Sequence, residues 1–511
     1  MRRWLGLASG VRKKFQVCIV GSGPAGIYSA QNLLKKIGAT RDDLDLSIDV
    51  LDRRPTPGGL ARYGVAPDHA PSVSAVLDTV DTILSEKRVR FFGNVQVKMN
   101  GEGSIGLHEL RSMYDAVILA HGADKPNWLG IKGEGDLKGK GVMTARDLVA
   151  FYCGDPMMKQ NPFEFSAAAA AAAPMKIRDV AVVGAGNVAL DVARMLLSPP
   201  DLLRLETDTA GRFVDLLQSE DLGGIQRVHV LARRGPRSAA FAPRELREVL
   251  SKKSYINTTV VLPDEKEGRR GIQPFDDVPS KEQTRAQKRV FKLLRDCFES
   301  QKEARKGNET KTGQKELFLH FLHKPVEFTG EDHLQGVRVE LQQEHGGSAT
   351  EIKPIEGDEK IVELPVQLAI VAASQQTVGL DGLPPETLQY KERLSAKALS
   401  GSSQEGDVTL APVYLCGWAN HGAKGIIGAS MVDADEVSRL LIDDICDLDR
   451  PRPDQRDLGE VLSGRGTQVL SEVHWNVIKG EQRQRGKMNG RASEMITDTD
   501  EMLALAGKKG E

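Results

Sequence analysis

Cysteine is scarce in this chain. Its 511 residues contain five: Cys18, Cys153, Cys297, Cys416 and Cys446. No two form a Cys-x-x-Cys pair, and the count is odd. That argues against a disulfide framework and a cysteine metal cage, so no metal site is expected, and it suits inert thiols in a reducing compartment. Long apolar runs are also missing. None approaches the roughly 20 residues that a membrane-spanning helix needs, which leaves only peripheral membrane association open. Charge of one sign is not in excess. The net charge is −2, so the molecule as a whole is not drawn to nucleic acid, and any docking of a charged partner must come from local patches. Acidic residues are absent from the start of the chain. The first is Asp42, whereas residues 1–14 carry Arg2, Arg3, Arg12, Lys13 and Lys14. An Arg-rich, acid-free leader before the first strand has the character of a short organelle-targeting peptide, and residues 1–14 are expected to direct the chain to mitochondria. A basic tail is the alternative. The apolar stretch Trp4–Ala8 is too short for a secretory signal.

What the chain does contain is ordered glycine and apolar strand-like runs. There are 51 glycines, several of them in patterned positions. Phe15–Val20 reads as a buried strand, Ala25–Lys36 as a helix and Leu46–Leu51 as a second strand. This alternation implies a parallel sheet covered on both faces. Tyr114–Ala120 is a further strand. The pattern restarts with a strand at Val180–Val183, a helix at Asn187–Leu197 and a strand at Arg227–Ala232; the apolar runs Val366–Ala372 and Val413–Cys416 follow. The fold class expected is α/β, with two Rossmann-like dinucleotide-binding domains in series. The seven-alanine run Ala167–Ala173 reads as surface filler, and the mixed-charge stretch 264–289 as a surface segment.

Each strand–helix junction carries a glycine fingerprint. Gly21-Ser22-Gly23-Pro24-Ala25-Gly26 has its glycines where a tight turn, a pyrophosphate and close helix–strand packing require them. The helix start then offers unpaired N–H groups to the phosphates. Asp52, at the tip of the second strand, is placed to accept from ribose hydroxyls. The second fingerprint, Gly184-Ala185-Gly186-Asn187-Val188-Ala189, leads instead to Arg233-Arg234-Gly235 at the corresponding tip. A carboxylate there would repel a ribose 2′-phosphate, whereas guanidinium groups bind it with charge-assisted hydrogen bonds. The acid suits the first site to FAD, and the arginines suit the second to NADP(H).

On these residues the chain resembles the mitochondrial-type ferredoxin–NADP reductases, the adrenodoxin reductase family. The matching segments are Gly21–Gly26, Gly58–His69, Gly184–Leu197, Arg233–Val249 and Gly417–Asp433, with a fitting tail from Trp475 to Gly507. The resemblance implies a flavoenzyme that takes hydride from NADPH onto FAD and passes single electrons to a [2Fe–2S] ferredoxin. It implies that Asp52 holds the FAD ribose, that Gly59 and Leu60 lie by the flavin, and that Trp418, Gly425, Ile426 and Ile427 contact its ring system. Gly184, Gly186, Asn187 and Val188 would meet the NADP pyrophosphate, and Arg233, Arg234 and Glu245 its adenosine end. His69 and Asp191 match a pair near the flavin, and Arg285 and Arg289 match positions that dock an acidic ferredoxin. The implied domains are FAD-binding over 15–124 and 366–511, with an NADP-binding domain, 125–365, inserted.

The sequence departs from the family pattern in three places. Asp52 stands where Glu is common. Ala373-Ser374-Gln375-Gln376 replaces a glycine-containing turn. His421 and Lys424 replace commoner residues by the flavin. A flavin-dependent disulfide reductase would need a redox cysteine pair, which is absent. An oxidoreductase with another acceptor and a non-catalytic FAD- and NADPH-binding protein stay open. Arg285, Lys288, Arg289, Lys292 and Arg295 have spacings that place them along one side of a helix, with Val290, Phe291, Leu293 and Leu294 interleaved.

Overall fold

The computed structural model describes residues 12–98, 104–164, 176–220, 222–263, 275, 283–306, 313–345, 348–355, 360–381, 383, 397–399, 410–423, 425, 427–445, 452 and 454–507. Most of the leader, the alanine run, Cys446, Lys424 and Ile426 lie outside these residues.

Two six-stranded sheets organise the chain. The first runs Lys397–Leu399, Val413–Leu415, Ala116–Leu119, Lys13–Val20, Leu44–Asp52 and Val89–Gly93 across its width. All neighbours are parallel except the Lys397–Leu399 edge strand. Its central strands bury apolar side chains on both faces: Val17, Ile19, Ile48 and Val50 on one, Cys18, Leu51, Val117 and Leu119 on the other. The second sheet runs Ile256–Val261, Lys315–Phe321, Arg227–Ala232, Asp179–Val183, Leu368–Val371 and Val142–Thr144, all parallel. An antiparallel group built on Gly336–His345 packs beside it.

One expected assignment needs correction. The bound at residue 366 assigns the run Val366–Ala372 to the second part of the FAD domain. Leu368–Val371 instead lies inside the second sheet, between Asp179–Val183 and Val142–Thr144. The apolar stretch Leu368–Val371 suits either buried parallel sheet equally, so its composition could not distinguish them. The chain passes between the sheets through Lys125–Pro126 and returns through Gln375–Gln376, and these two crossovers pair with each other.

The last helices tie both halves together. Trp475, in the helix Glu472–Met488, is 1% exposed. Its Nε1 donates to Asp81 at 3.0 Å, and the Arg62 guanidinium covers its ring. Further on, Arg491 Nη2 donates to the Thr209 carbonyl, and Thr499 Oγ1 to the Pro156 carbonyl. Arg54, just past the strand Leu44–Asp52, forms a buried ion pair with Asp155 at 2.7 Å. Among the described residues, no helix is long and apolar enough to cross a membrane.

Candidate functional site

The first fingerprint sits at the carboxyl end of Lys13–Val20, where ligands bind in such sheets. Gly21 has φ +111°, and a Cβ there would overlap the Ala120 carbonyl; a Cβ on Gly26 would overlap the Gly21 carbonyl. Both glycines are thus demanded by backbone packing. Gly23 differs. The nearest atom to a Cβ there is Gly59 Cα at 3.9 Å, so the space above it is open. Pro24 lies in the first turn of Pro24–Thr40, and no acidic residue occupies that turn, which leaves the positive helix end to an anion. The Gly58-Gly59-Leu60 loop closes one side, with Gly58 N–H donating to the Ser22 carbonyl at 3.2 Å.

Asp52 is 7% exposed. Its Oδ2 accepts from Ser22 N at 2.9 Å and Ser22 Oγ at 2.5 Å, and its Oδ1 from Arg54 N at 2.9 Å. The short acid therefore braces the fingerprint loop itself, which leaves less acceptor capacity for a ribose than a free carboxylate offers.

The loop at Gly417 closes another side. Gly417 has φ +65°, and a Cβ there would meet Ala25 Cβ at 2.5 Å, so this loop lies directly on the start of the first helix. Asp433 accepts from Gly417 N and from Asn420 Nδ2. Thr377 Oγ1 donates to the Trp418 carbonyl at 2.6 Å, which joins the return crossover to this loop. Trp418 is half-buried, Gly425 is exposed and Ile427 begins the helix Ile427–Asp444. Beneath them Cys416 is buried, and burial pushes its thiol up to about 12. It is not poised as a thiolate.

The second fingerprint repeats this geometry. Gly184 has φ +136°, and a Cβ there would meet the Ala372 carbonyl at 2.5 Å, while Gly186 has nothing within 4 Å. Asn187 Oδ1 accepts from Ala242 N at 2.6 Å, which fixes the helix start Asn187–Leu197 to the segment after Arg233. Val188 is 45% exposed at that start. Arg233 and Arg234 are exposed and, among the described residues, have no anionic partner. Glu245 Oε2 is buried without a partner. Open glycine, unpaired guanidiniums and an unsatisfied acceptor all fit a dinucleotide with a phosphorylated ribose.

His69 and Asp191 meet where the two halves touch. His69 Nδ1 is 3.9 Å from Asp191 Oδ1, and its Nε2 is 2.6 Å from Glu248 Oε2. Arg194, fully buried, contacts Asp68 at 2.5 and 2.9 Å and Asp191 at 2.9 Å. Burial pushes the Asp191 carboxyl up, against the pull of Arg194 and His69. Sequence reasoning found His69 and Asp191 but missed Glu248. The one available signal was its position three residues after Glu245 on the same helix, Pro243–Ser251. An imidazole held between two carboxylates can hold or move a proton at Nδ1 or Nε2.

Arg285 and Arg289 lie on the helix Arg285–Lys306, whose Phe291 ring lies under the Arg237 guanidinium just past the Arg233–Arg234 tip. Arg285, Lys288, Arg289 and Lys292 are exposed on this helix, while Val290 and Leu294 are buried. No group of three or more histidine, cysteine or acidic side chains among the described residues is arranged for a metal.

Comparison with known proteins bears on this arrangement. Residues 15–253 match the pyridine nucleotide-disulphide oxidoreductase family. The chain is 31% identical over 504 residues to the mitochondrial NADPH:adrenodoxin oxidoreductase of Salvelinus fontinalis, across 96% of this chain and 91% of that one. It is 31% identical over 503 residues to the NADPH-ferredoxin reductase FprA of Mycobacterium tuberculosis, across 96% and 99%. The structure of Mycobacterium tuberculosis FprA in complex with NADPH is similar at a TM-score of 0.78, with 29% identity and coverage of 97% of this chain and 100% of that one.

Proposed function

The chain belongs to the adrenodoxin reductase family, and from that premise we propose that it oxidises NADPH through FAD and delivers single electrons to a [2Fe–2S] ferredoxin. The observation that carries this reading is the pairing of two open glycine cradles, one ending in Asp52 and the other in Arg233 and Arg234. FAD, once bound, supplies the conversion from a two-electron donor to one-electron delivery.

The chain's own residues bind, orient and shield. Gly21 to Gly26 and the Gly59–Leu60 loop receive the FAD pyrophosphate. Trp418, Gly425 and Ile427 border its ring system, and Asp52 supports the ribose end through the loop it braces. Gly184, Gly186, Asn187 and Val188 receive the NADP pyrophosphate, while Arg233, Arg234 and Glu245 read the adenosine end. His69, with Asp191 and Glu248, holds a proton at the junction. The division of the chain follows the two sheets, with the NADP-binding part between the crossovers. The basic leader supports a mitochondrial address, which a fluorescent fusion of residues 1–14 tests.

Steady-state cytochrome c reduction with NADPH and an added [2Fe–2S] ferredoxin is the decisive assay. Turnover that depends on the ferredoxin is expected. Turnover only with small acceptors, or none, would overturn the reading. Two guanidiniums contributing about 1.5–3 kcal/mol each to a charged group correspond to a preference for NADPH over NADH of at least about 100-fold. Arg233→Ala/Arg234→Ala is expected to raise KM for NADPH far more than for NADH.

A further inference from the structure

A buried ion pair lies directly beneath the loop that carries Arg233 and Arg234. Glu344, on the strand Gly336–His345, reaches under the turn so closely that a Cβ on Gly235 would overlap its Oε1. Its side chain is 4% exposed, and Oε1 has no hydrogen-bond partner. The cation that faces it among the described residues is Arg237, 3% exposed, at 3.5 Å from Oε2. Arg237 is held from other sides too. Its carbonyl accepts from Gln283 Nε2 at 3.0 Å, and its guanidinium lies over the Phe291 ring at 5.9 Å. A carboxylate buried one residue from Arg234 is an unexpected neighbour for an anion-reading loop, because its field opposes a second negative charge.

We propose that Arg237 is a specificity-determining residue for the nucleotide: by neutralising and holding Glu344 under Gly235, it keeps that loop able to accept a 2′-phosphate. It acts through Glu344 and the loop rather than by touching the nucleotide, since it is buried. The charge balance affects NADPH and NADH differently, because only NADPH brings the 2′-phosphate. Removing Arg237 leaves the Glu344 charge uncompensated and weakens NADPH selectively. Removing the Glu344 charge strengthens NADPH selectively. A purely structural role would weaken both nucleotides together.

The inference rests on Arg233 and Arg234 reading the 2′-phosphate, so the holoenzyme test includes a check on that reading. The measured quantity is the ratio of kcat/KM for NADPH to that for NADH, with ferricyanide as acceptor. Arg237→Leu is expected to lower the ratio by about tenfold, or 1.4 kcal/mol, and Arg237→Lys to restore most of it. Glu344→Gln is expected to raise the ratio, and to recover it when added to Arg237→Leu. If Arg237→Leu does not fold, Glu344→Gln alone decides, and an unchanged or lowered ratio overturns the proposal. An equal loss with both nucleotides in Arg237→Leu, unrelieved by Glu344→Gln, also overturns it. The control is Arg233→Ala/Arg234→Ala. If that variant keeps the parent ratio, the reading of the nucleotide site fails. If it loses the ratio while the Arg237 and Glu344 variants keep it, the present proposal alone fails.

Discussion

Three glycines of the first fingerprint share one motif but answer to different constraints. Gly21 and Gly26 have no room for a Cβ because backbone carbonyls occupy the space. Gly23 has room and faces the open cradle. Gly21→Val is therefore expected to give little folded protein, since it combines overlap with a left-handed φ. Gly23→Val is expected to fold and remain largely free of FAD, because the new side chain fills the space for the pyrophosphate. Flavin absorbance per mole of purified protein, together with the melting temperature, separates the two. Full flavin content in Gly23→Val would move the pyrophosphate elsewhere. These roles were legible in the sequence because they depend on local strand–turn–helix geometry. The state of Asp52 was only half legible. Its position at the strand tip was clear, but its bonds to Ser22 and Arg54 depend on how the loop folds back. The pairings of Glu248 and Glu344 were not legible, because their partners His69 and Arg237 lie 179 and 107 residues away in sequence (248 − 69; 344 − 237).

At the scale of elements, the strands Arg227–Ala232 and Lys315–Phe321 bring a histidine chain together. His229 Nδ1 lies 3.0 Å from His320 Nε2, and the His320 and His323 rings meet edge-on at 5.0 Å. His323 Nδ1 faces the Phe321 carbonyl at 2.7 Å. Asp179 and Arg227 flank the outer end at His229. Burial, with His323 and His229 adding repulsion, pushes His320 down to about 2. Burial lowers His229 and His323 as well. A histidine kept neutral when folded, but titrating near 6.5 when unfolded, gains its proton only on unfolding. Its contribution to stability is complete above about pH 6.5 and is lost as the pH falls from there toward the folded value. One such histidine removes up to about 1.4 kcal/mol per pH unit in that window. Melting temperatures measured from about pH 7.5 to 5 should fall, and more shallowly in His320→Phe. Parallel slopes in the two proteins would show that His320 is not the responsible group. The run Val366–Ala372 belongs to this scale too. Its strand character was plain, but its sheet was decided by neighbours on both sides, Asp179–Val183 and Val142–Thr144.

At the scale of the whole molecule, a net charge of −2 has to be reconciled with the acidic ferredoxin that the resemblance implies as partner. The reconciliation lies in distribution. Arg285, Lys288, Arg289 and Lys292 form an exposed row on one helix and, among the described residues, none of the four is paired with an acid. The same helix is anchored by Val290, 1% exposed, and Leu294, 0% exposed. The row can therefore be altered without disturbing the core. Complementary charge acts mainly on the association rate, and screening shortens to about 8 Å at physiological ionic strength. Ferredoxin-dependent turnover is thus expected to fall steeply with added salt, while NADPH-to-ferricyanide turnover falls little. Arg285→Glu/Arg289→Glu is expected to cut ferredoxin reduction by tenfold or more, about 1.4 kcal/mol in association, with ferricyanide turnover nearly unchanged. The small acceptor needs no docking face, so the two assays separate docking from nucleotide oxidation. A parallel loss in both would make the row structural. Unchanged ferredoxin turnover would place the docking face elsewhere.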